Sequence, residues 1–179
     1  HEVKGCAKNV LPYLMDGETF LDTLLISPPG AGKTTLLRDL IRELSCGGTW
    51  GAGKNVSVVD ERSEIAACFG GVAQCDLGPR TDVMDGCPKS EGMLMMLRSM
   101  APQVLAVDEI TAPEDLRAIQ EAAGCGVTLL ATAHGGSWEE LRLRPLYREL
   151  LDQGIFRTFV VLSLAQGKRV YTVRKEGMP

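Results

Sequence analysis

Short apolar runs alternate along the chain with segments in which apolar residues recur every three or four positions. The runs are rich in Val, Leu and Ile, which is typical of strands buried on both faces. The predicted strands are 20–27, 55–59, 104–107, 127–132, 156–164 and 169–173. The spaced segments predict amphipathic helices, each with one stripe of side chains toward a core. The predicted helices are 3–14, 33–44, 90–100, 113–123, 138–143 and 145–151.

Strands that alternate with helices predict an α/β fold with a mostly parallel sheet and helices on both faces. The last two strands flank a Gln166-Gly167 turn and predict a C-terminal β-hairpin. The carboxyl ends of parallel strands meet at one edge of such a sheet, where ligands bind. The apolar residues of the stretch 62–89 show no clear periodicity, and an irregular segment of that length is usually functional. Methionines along 90–100 indicate a core-facing stripe more than an adaptable binding surface.

Length and composition are those of a soluble globular domain: 179 residues, 45% hydrophobic and 23% charged. The net charge of −4 gives no general basic field, so nucleic acid is not expected as a partner. The longest apolar runs, such as 127–133, are far shorter than a membrane-spanning helix needs, so direct membrane insertion is not expected either. Six cysteines without a CxxC pair indicate reduced thiols in a cytosolic protein rather than a zinc site or a disulfide framework. Because the sequence opens on His, we expect a single domain, 1–179, excised from a longer chain and lacking its N-terminal domain.

The stretch LLISPPGAGKTTLL, residues 24–37, joins a predicted strand to a predicted helix. It follows the P-loop pattern GxxxxGK[ST], with Ser27 in the place of the first glycine. The glycines let backbone N–H groups turn onto a phosphate, and the helix adds the positive end of its dipole. We expect nucleotide contacts from Pro29, Gly30, Ala31, Gly32, Lys33, Thr34 and Thr35. Lys33 would reach the β- and γ-phosphates, and Thr34 would help to hold Mg²⁺. The alternative is a glycine-rich turn that only caps a helix.

The run VLAVDEI, residues 104–110, is a buried strand that ends in two carboxylates, as in a Walker B motif. Asp108 would hold Mg²⁺ through its water shell, and Glu109 would polarise the water that attacks the γ-phosphate. A kinase has less need of such a glutamate, so the pair favours hydrolysis. The alternative is a strand end that is only solvated. The absence of an NKxD motif favours ATP over GTP.

Other polar residues also follow predicted strands. Asp60 and Glu61 form a second acidic pair, which would help to coordinate metal or water. The alternative is a strand end that is only solvated. His134 would sense the γ-phosphate by a hydrogen bond. The alternative is that His134 has a purely structural role. Transition-state charge needs cations besides Lys33. Among the arginines we single out Arg80, in the segment LGPRTDV. The further candidates are Arg62, Arg98, Arg117, Arg142 and Arg144.

These motifs carry a family resemblance. LLRSMAPQVLAVDEI and TAPEDLRAIQEAAGCGVTLLATAHGGSWEEL resemble the central part of the type II and type IV secretion ATPases. VVDERSEIA occupies the place of the acidic box of those enzymes. Nearly the whole chain, through ISPPGAGKTTLLRDLIREL, VVDERSEIA and LRSMAPQVLAVDEI, is similar to the stage III sporulation protein AA family.

The resemblance implies a RecA-like ATPase core that binds ATP and Mg²⁺ in the mother-cell cytoplasm of an endospore-forming bacterium. It implies a hexameric ring whose partners are membrane proteins of a secretion-like channel complex. Asp60 and Glu61 would be the acidic box, Asp108 and Glu109 Walker B, and His134 the histidine box. The secretion enzymes usually have Gly-Glu where this chain has Asp108-Glu109. Their tetracysteine motif and N-terminal domain are absent from this sequence, which leaves the ring contacts open.

The preferred function is therefore an ATP hydrolase that drives a membrane-associated export or channel assembly. One alternative is a nucleotide-gated assembly module with negligible turnover, suggested by the irregular stretch 62–89 and by the lack of an identified arginine finger. Another is a nucleic-acid translocase, which the acidic balance disfavours.

Overall fold

The computed structural model describes residues 3–176. Its strands are β1 Met15–Asp16, β2 Thr19–Phe20, β3 Thr23–Ser27, β4 Gly47–Gly48, β5 Gly51–Ala52, β6 Val56–Asp60, β7 Thr81–Asp85, β8 Val104–Glu109, β9 Thr128–His134, β10 Thr158–Ala165 and β11 Lys168–Lys175. Its α-helices are α1 Lys33–Cys46, α2 Lys89–Met100, α3 Pro113–Gly124, α4 Trp138–Arg142 and α5 Pro145–Asp152.

Within residues 3–176, seven strands form the main sheet in the order β11-β10-β3-β9-β8-β6-β7. All neighbours from β10 to β7 run parallel, and β11 pairs antiparallel with β10 as a hairpin. The carboxyl ends of the parallel strands therefore lie at one edge of the sheet, here called the carboxyl edge. The predicted α/β fold, with a mostly parallel sheet and a C-terminal hairpin, is confirmed.

Two apolar cores cover the two faces of the sheet. On one face, α1 packs its buried residues Leu36, Leu37 and Leu40 against the sheet, together with the N-terminal segment. On the other face, α2, α3, α4 and α5 share a second core. Successive residues of each strand point to opposite faces, so Leu25 of β3 joins the first core and Ile26 joins the second. Burial of each such leucine stabilises the fold by about 1.5–3 kcal/mol.

Two predictions of local structure are wrong. Residues 3–14 do not form one amphipathic helix; they contain two short 3₁₀ helices, Ala7–Asn9 and Leu11–Leu14. Pro12 explains the break, because it lacks an N–H and its ring clashes with the preceding turn of an α-helix. The stretch 62–89 is also not wholly irregular, since it contains the edge strand β7. Of the methionines expected in one core stripe, Met93 and Met96 are buried and Met100 is 46% exposed.

Candidate functional site

The P-loop leads from β3 into α1 at the carboxyl edge. Gly30 and Gly32 have φ values of +74° and +97°, in the left-handed region that glycine adopts without strain. No side chain caps the N-terminus of α1, so its first backbone N–H groups have no side-chain acceptor and can bind an anion. Ser27, in the place of the first glycine, is buried, and its hydroxyl donates to the carbonyl of Pro28 at 2.8 Å.

A cleft of about 450 Å³ opens over this loop. The end of β8, the end of β9 and the start of β11 contribute its other walls. The lining residues are Ser27, Pro28, Pro29, Gly30, Gly32, Lys33, Thr34, Thr35, Arg38, Glu64, Glu109, His134 and Arg169. The structure thus brings the expected nucleotide-binding residues together in one cleft, apart from Ala31, which is buried in the core beneath α1.

Lys33 and Glu109 lie side by side in the cleft. The Lys33 Nζ is 3.9 Å from the Glu109 Oε2, and the two side chains are 13% and 32% exposed. A lysine that binds phosphate and a carboxylate that activates water must lie near the same phosphorus. Their proximity is the arrangement that this chemistry needs.

Asp108 is placed differently from Glu109. Asp108 is only 7% exposed and does not line the cleft. The pairing of β8 with β9 shifts its register between Ala106 and Glu109, and such an irregularity re-aims the side chains at the end of a strand. Glu109 therefore forms part of the cleft wall, whereas the neighbouring Asp108 is withdrawn from it.

The oxygen donors near Lys33 suit Mg²⁺ in kind. They are the Thr34 hydroxyl and the Glu109 carboxylate, and hard cations prefer oxygen ligands. Asp108 is not among the residues that line the cleft, so its contact with Mg²⁺ would go through bound water. Within residues 3–176 no group of three or more His, Cys, Asp and Glu side chains is arranged to hold a metal by itself. P-loop Mg²⁺ needs only one or two protein ligands because phosphates and water supply the others. The donor set therefore fits Mg²⁺ bound together with phosphates.

The acidic pair at the end of β6 does not join the cleft. Asp60 is fully buried, and its carboxylate accepts three backbone N–H groups, from Glu64 at 2.9 Å, Ile65 at 2.9 Å and Ala66 at 2.8 Å. Asp60 therefore shapes the turn that follows β6. The expectation that it forms a second acidic site for metal or water is corrected, because its oxygens are engaged by the backbone.

Glu61 is engaged by a lysine that the sequence did not single out. Its Oε2 lies 3.4 Å from the Nζ of Lys89, which is only 5% exposed. The same ammonium donates to the backbone carbonyl of Glu109 and lies 3.8 Å from the Asp115 Oδ2. Lys89 thus joins the acidic pair, the end of β8 and the start of α3. A direct catalytic role for Glu61 does not follow from this position, since Glu61 does not line the cleft.

His134 ends β9 and lines the cleft. Its Nδ1 is buried and has no hydrogen-bond partner among the described residues, while its carbonyl accepts from Arg144 at 2.6 Å. The place of His134 in the cleft wall is where a γ-phosphate contact would need it, whereas the buried Nδ1 is closed to a ligand in the cleft.

Arg80 lies far from the cleft. Its backbone N–H donates to the Ser45 hydroxyl at 2.7 Å, at the opposite end of α1 from the P-loop. Fourteen residues of helix separate these ends by about 20 Å. The expectation that Arg80 supplies a cation to the nucleotide bound by its own chain is therefore corrected.

Arg38 is a cleft residue that the motif search missed. It lies one turn along α1 from Thr34, on the same helix face. Its guanidinium donates to the carbonyls of Ile65, at 2.6 Å, and Glu64. Arg38 and Asp60 thus hold the turn 64–66 from two sides, one through carbonyls and the other through N–H groups.

Tyr147 fixes the segment that follows β8. Its hydroxyl donates to the carbonyl of Ile110 at 2.6 Å, next to Glu109. Burial, reinforced by the charge of Glu109, raises the pKa of Tyr147 to about 12. The hydroxyl therefore stays protonated and able to donate at neutral pH.

A family model for sporulation stage III, protein AA matches residues 1–176. The chain belongs to the stage III sporulation protein AA family. A relative, stage III sporulation protein AA of Bacillus subtilis (strain 168), is 47% identical over 163 residues, which is 91% of this chain and 53% of that protein. The chain therefore spans about half the length of this relative.

Solved structures relate this family member to secretion and pilus ATPases. The ATPase DotB of Legionella pneumophila has a TM-score of 0.67 and 20% identity, over 96% of this chain and 50% of that one. The pilus retraction motor PilT with bound ADP has a TM-score of 0.67 and 17% identity, over 99% of this chain and 54% of that one. At these identities the likeness shows that this chain has the fold of those proteins.

Among residues 3–176, no helix combines the length and the apolar character that crossing a bilayer requires. The chain has a second cleft, of about 460 Å³, beside the amino ends of β3, β9 and β10. Asp22 and Arg157 line this second cleft, and none of the predicted motif residues does. The P-loop cleft is thus the one in which the sequence motifs converge.

Proposed function

We propose that this chain is an ATP-binding and ATP-hydrolysing domain that energises a membrane channel or export assembly during endospore formation. The observation that carries the proposal is the cleft in which the P-loop, Lys33 and Glu109 meet. A structural ion pair alone would not need the uncapped helix and the two left-handed glycines beside it.

Each residue of the cleft has a separate role in hydrolysis. The loop N–H groups and Lys33 bind the phosphates, and Thr34, with Asp108 through the ion's water shell, would hold Mg²⁺, which neutralises phosphate charge when bound. Glu109 orients the attacking water and accepts its proton. His134, which lines the cleft, contacts the γ-phosphate by a hydrogen bond.

Two variants test this assignment. Lys33→Ala removes the phosphate cation, so ATP binding should weaken by about 100-fold or more. Glu109→Gln removes the proton acceptor but keeps the shape, so ATP binding should stay within a few fold while turnover falls by about 10²–10⁴-fold. Binding is measured by calorimetry and turnover by phosphate release, with and without the membrane partners.

Exposed residues of the same types provide the controls. Lys8 and Glu91 lie on the surface, so Lys8→Ala and Glu91→Gln should leave both measurements unchanged. Wild-type turnover in both Lys33→Ala and Glu109→Gln would remove the enzymatic assignment. ATP binding without phosphate release by the wild type, even with its partners, would instead indicate a nucleotide-gated assembly module.

The setting of this activity is also part of the proposal. Membership of a sporulation family and a fold shared with secretion and pilus ATPases support membrane proteins as partners, a hexameric ring and the mother-cell cytoplasm. Phe69 and Val72, which are 81% and 62% exposed, supply apolar surface for such contacts.

A further inference from the structure

We propose that Arg169, in the C-terminal hairpin, is a phosphate-binding residue of the nucleotide site in its own chain. This inference rests on the proposed function and adds a residue to its site. Arg169 belongs to none of the P-loop, Walker B, acidic-box or histidine-box motifs.

Strand pairing carries Arg169 to the P-loop. β10 runs beside β3 as far as the pair Val161 and Ile26, and then continues to Ala165. Arg169 of β11 pairs with Leu164, three residues beyond Val161. At about 3.3 Å per residue, Arg169 stands about 10 Å past that last pair, where the P-loop leaves β3.

The alternation of β11 aims Arg169 at the correct face. Tyr171 and Val173 pack against the core that contains α1. Arg169 precedes Tyr171 by two residues, so it points to that same face. Lys168 and Val170 point to the other face.

The Arg169 guanidinium lies directly on Gly32, the residue before Lys33. A Cβ placed on Gly32 would be 2.7 Å from the Arg169 Nε, 2.8 Å from its Cζ and 3.1 Å from its Nη2. Gly32 needs to be glycine for its φ of +97°, and the absence of a side chain there leaves room for the Arg169 guanidinium. Arg169 lines the same cleft as Lys33 and Thr34.

Charge indicates what the guanidinium binds. No carboxylate of the described residues forms an ion pair with Arg169, although arginines 42, 142, 144 and 174 each have one. A planar, permanently charged fork suits phosphate oxygens, which it can bind through two parallel N–H groups. The C-terminal hairpin therefore delivers a second cation to the phosphates that Lys33 binds.

Calorimetric titration of the 179-residue chain with ADP and with ATP, both with Mg²⁺, tests this role. Arg169→Gln should weaken ADP binding by about tenfold to 100-fold, as expected for a lost charge-assisted hydrogen bond. Arg169→Lys should recover part of that loss, because it restores the charge without the fork. Lys168→Gln is the matched control, since it removes a neighbouring charge from the opposite face, and its affinity should stay within about twofold of wild type.

The outcomes separate this inference from the proposed function. An affinity of Arg169→Gln equal to that of Lys168→Gln, or tighter than wild type, overturns the role of Arg169 and leaves ATP hydrolysis standing. Weakened binding in Arg169→Gln supports that role even if the wild type releases no phosphate, which would overturn hydrolysis alone. A wild type that binds neither nucleotide overturns both. An unchanged melting temperature of nucleotide-free Arg169→Gln checks its fold.

Discussion

The substitution Asp60→Asn separates a structural role of the acidic pair from a catalytic one. Asp60 is fully buried at the end of β6, where its two oxygens accept three backbone N–H groups of the following turn. That turn holds Ser63 and Ala67 at φ values of +54° and +51°, which residues other than glycine seldom adopt. The carboxylate therefore maintains a turn that the chain would not keep unaided.

The loss can be worked out bond by bond. Oδ2 accepts from Ile65 and Ala66, and Oδ1 accepts from Glu64. In Asp60→Asn the amide oxygen keeps at most two of these bonds, each about 1 kcal/mol weaker without the charge. The amide NH₂ then faces the third N–H, which costs about 1–3 kcal/mol as an unsatisfied donor. At the lower end of that cost, the free energy of unfolding should fall by about 3 kcal/mol, and at the upper end by about 5 kcal/mol.

Urea unfolding followed by circular dichroism measures this change. With an m-value of about 2 kcal/mol/M, the midpoint should fall by about 1.5 M or more while the slope stays constant. Asp82→Asn is the control, because Asp82 lies exposed on the adjacent strand β7, and its effect should stay within about 0.5 kcal/mol. If Asp60→Asn kept wild-type stability and lost only turnover, the carboxylate would act on the nucleotide and the structural assignment would fail.

Two further predictions concern acid stability and assembly. Asp39 is buried, and burial alone would raise its pKa, but the N–H of Ala7 at 2.7 Å and the guanidinium of Arg42 outweigh this and lower it. The ionised Asp39 carboxylate therefore stabilises the fold fully above its unfolded pKa of about 4, and this stabilisation is lost as the pH falls through its folded pKa. Urea midpoints measured from pH 7 to pH 3 should decrease less in Asp39→Asn than in wild type. Equal decreases in the two proteins would contradict this role of Asp39. For the proposed ring, light scattering of the full-length protein should give a larger mass with a slowly hydrolysed ATP analogue than without it, and an unchanged monomer mass in the presence of both analogue and partners would argue against a ring.

Local patterns predicted most of the fold because its strands and helices are strongly periodic. The sequence of β8 is a continuous apolar run because both of its faces are buried, and α1 has apolar residues at helical spacing. The predictions failed where a local signal competed with the period. Pro12 divides the N-terminal segment into 3₁₀ turns, and β7 has a half-exposed, alternating sequence that glycine-rich flanks conceal.

The site was predictable only as far as its residues belong to contiguous motifs. The P-loop and Glu109 have recognisable spacings, and the parallel sheet places both at one edge. Lys89 carries no such pattern, because its importance comes from burial among Glu61, Asp115 and the Glu109 carbonyl. A buried lysine cannot be told from a solvated one without knowing what packs over it.

The periodicity of each helix or strand determines the face on which a residue lies, and the order of the strands in the sheet determines which other residues that face contacts. Arg38 falls four residues after Thr34 and Arg169 two residues before Tyr171, so both lie on faces that the sequence defines. That Arg169 lies over Gly32 depends on β10 pairing with β3, across more than a hundred residues of chain. Since no local pattern encodes that pairing, a phosphate ligand such as Arg169 is found only after the sheet is assembled. Motif reading therefore missed Arg169 because tertiary topology delivers it, on the strand β11 that lies beyond β10, whereas Arg80 of the glycine-rich loop lies at the opposite end of α1.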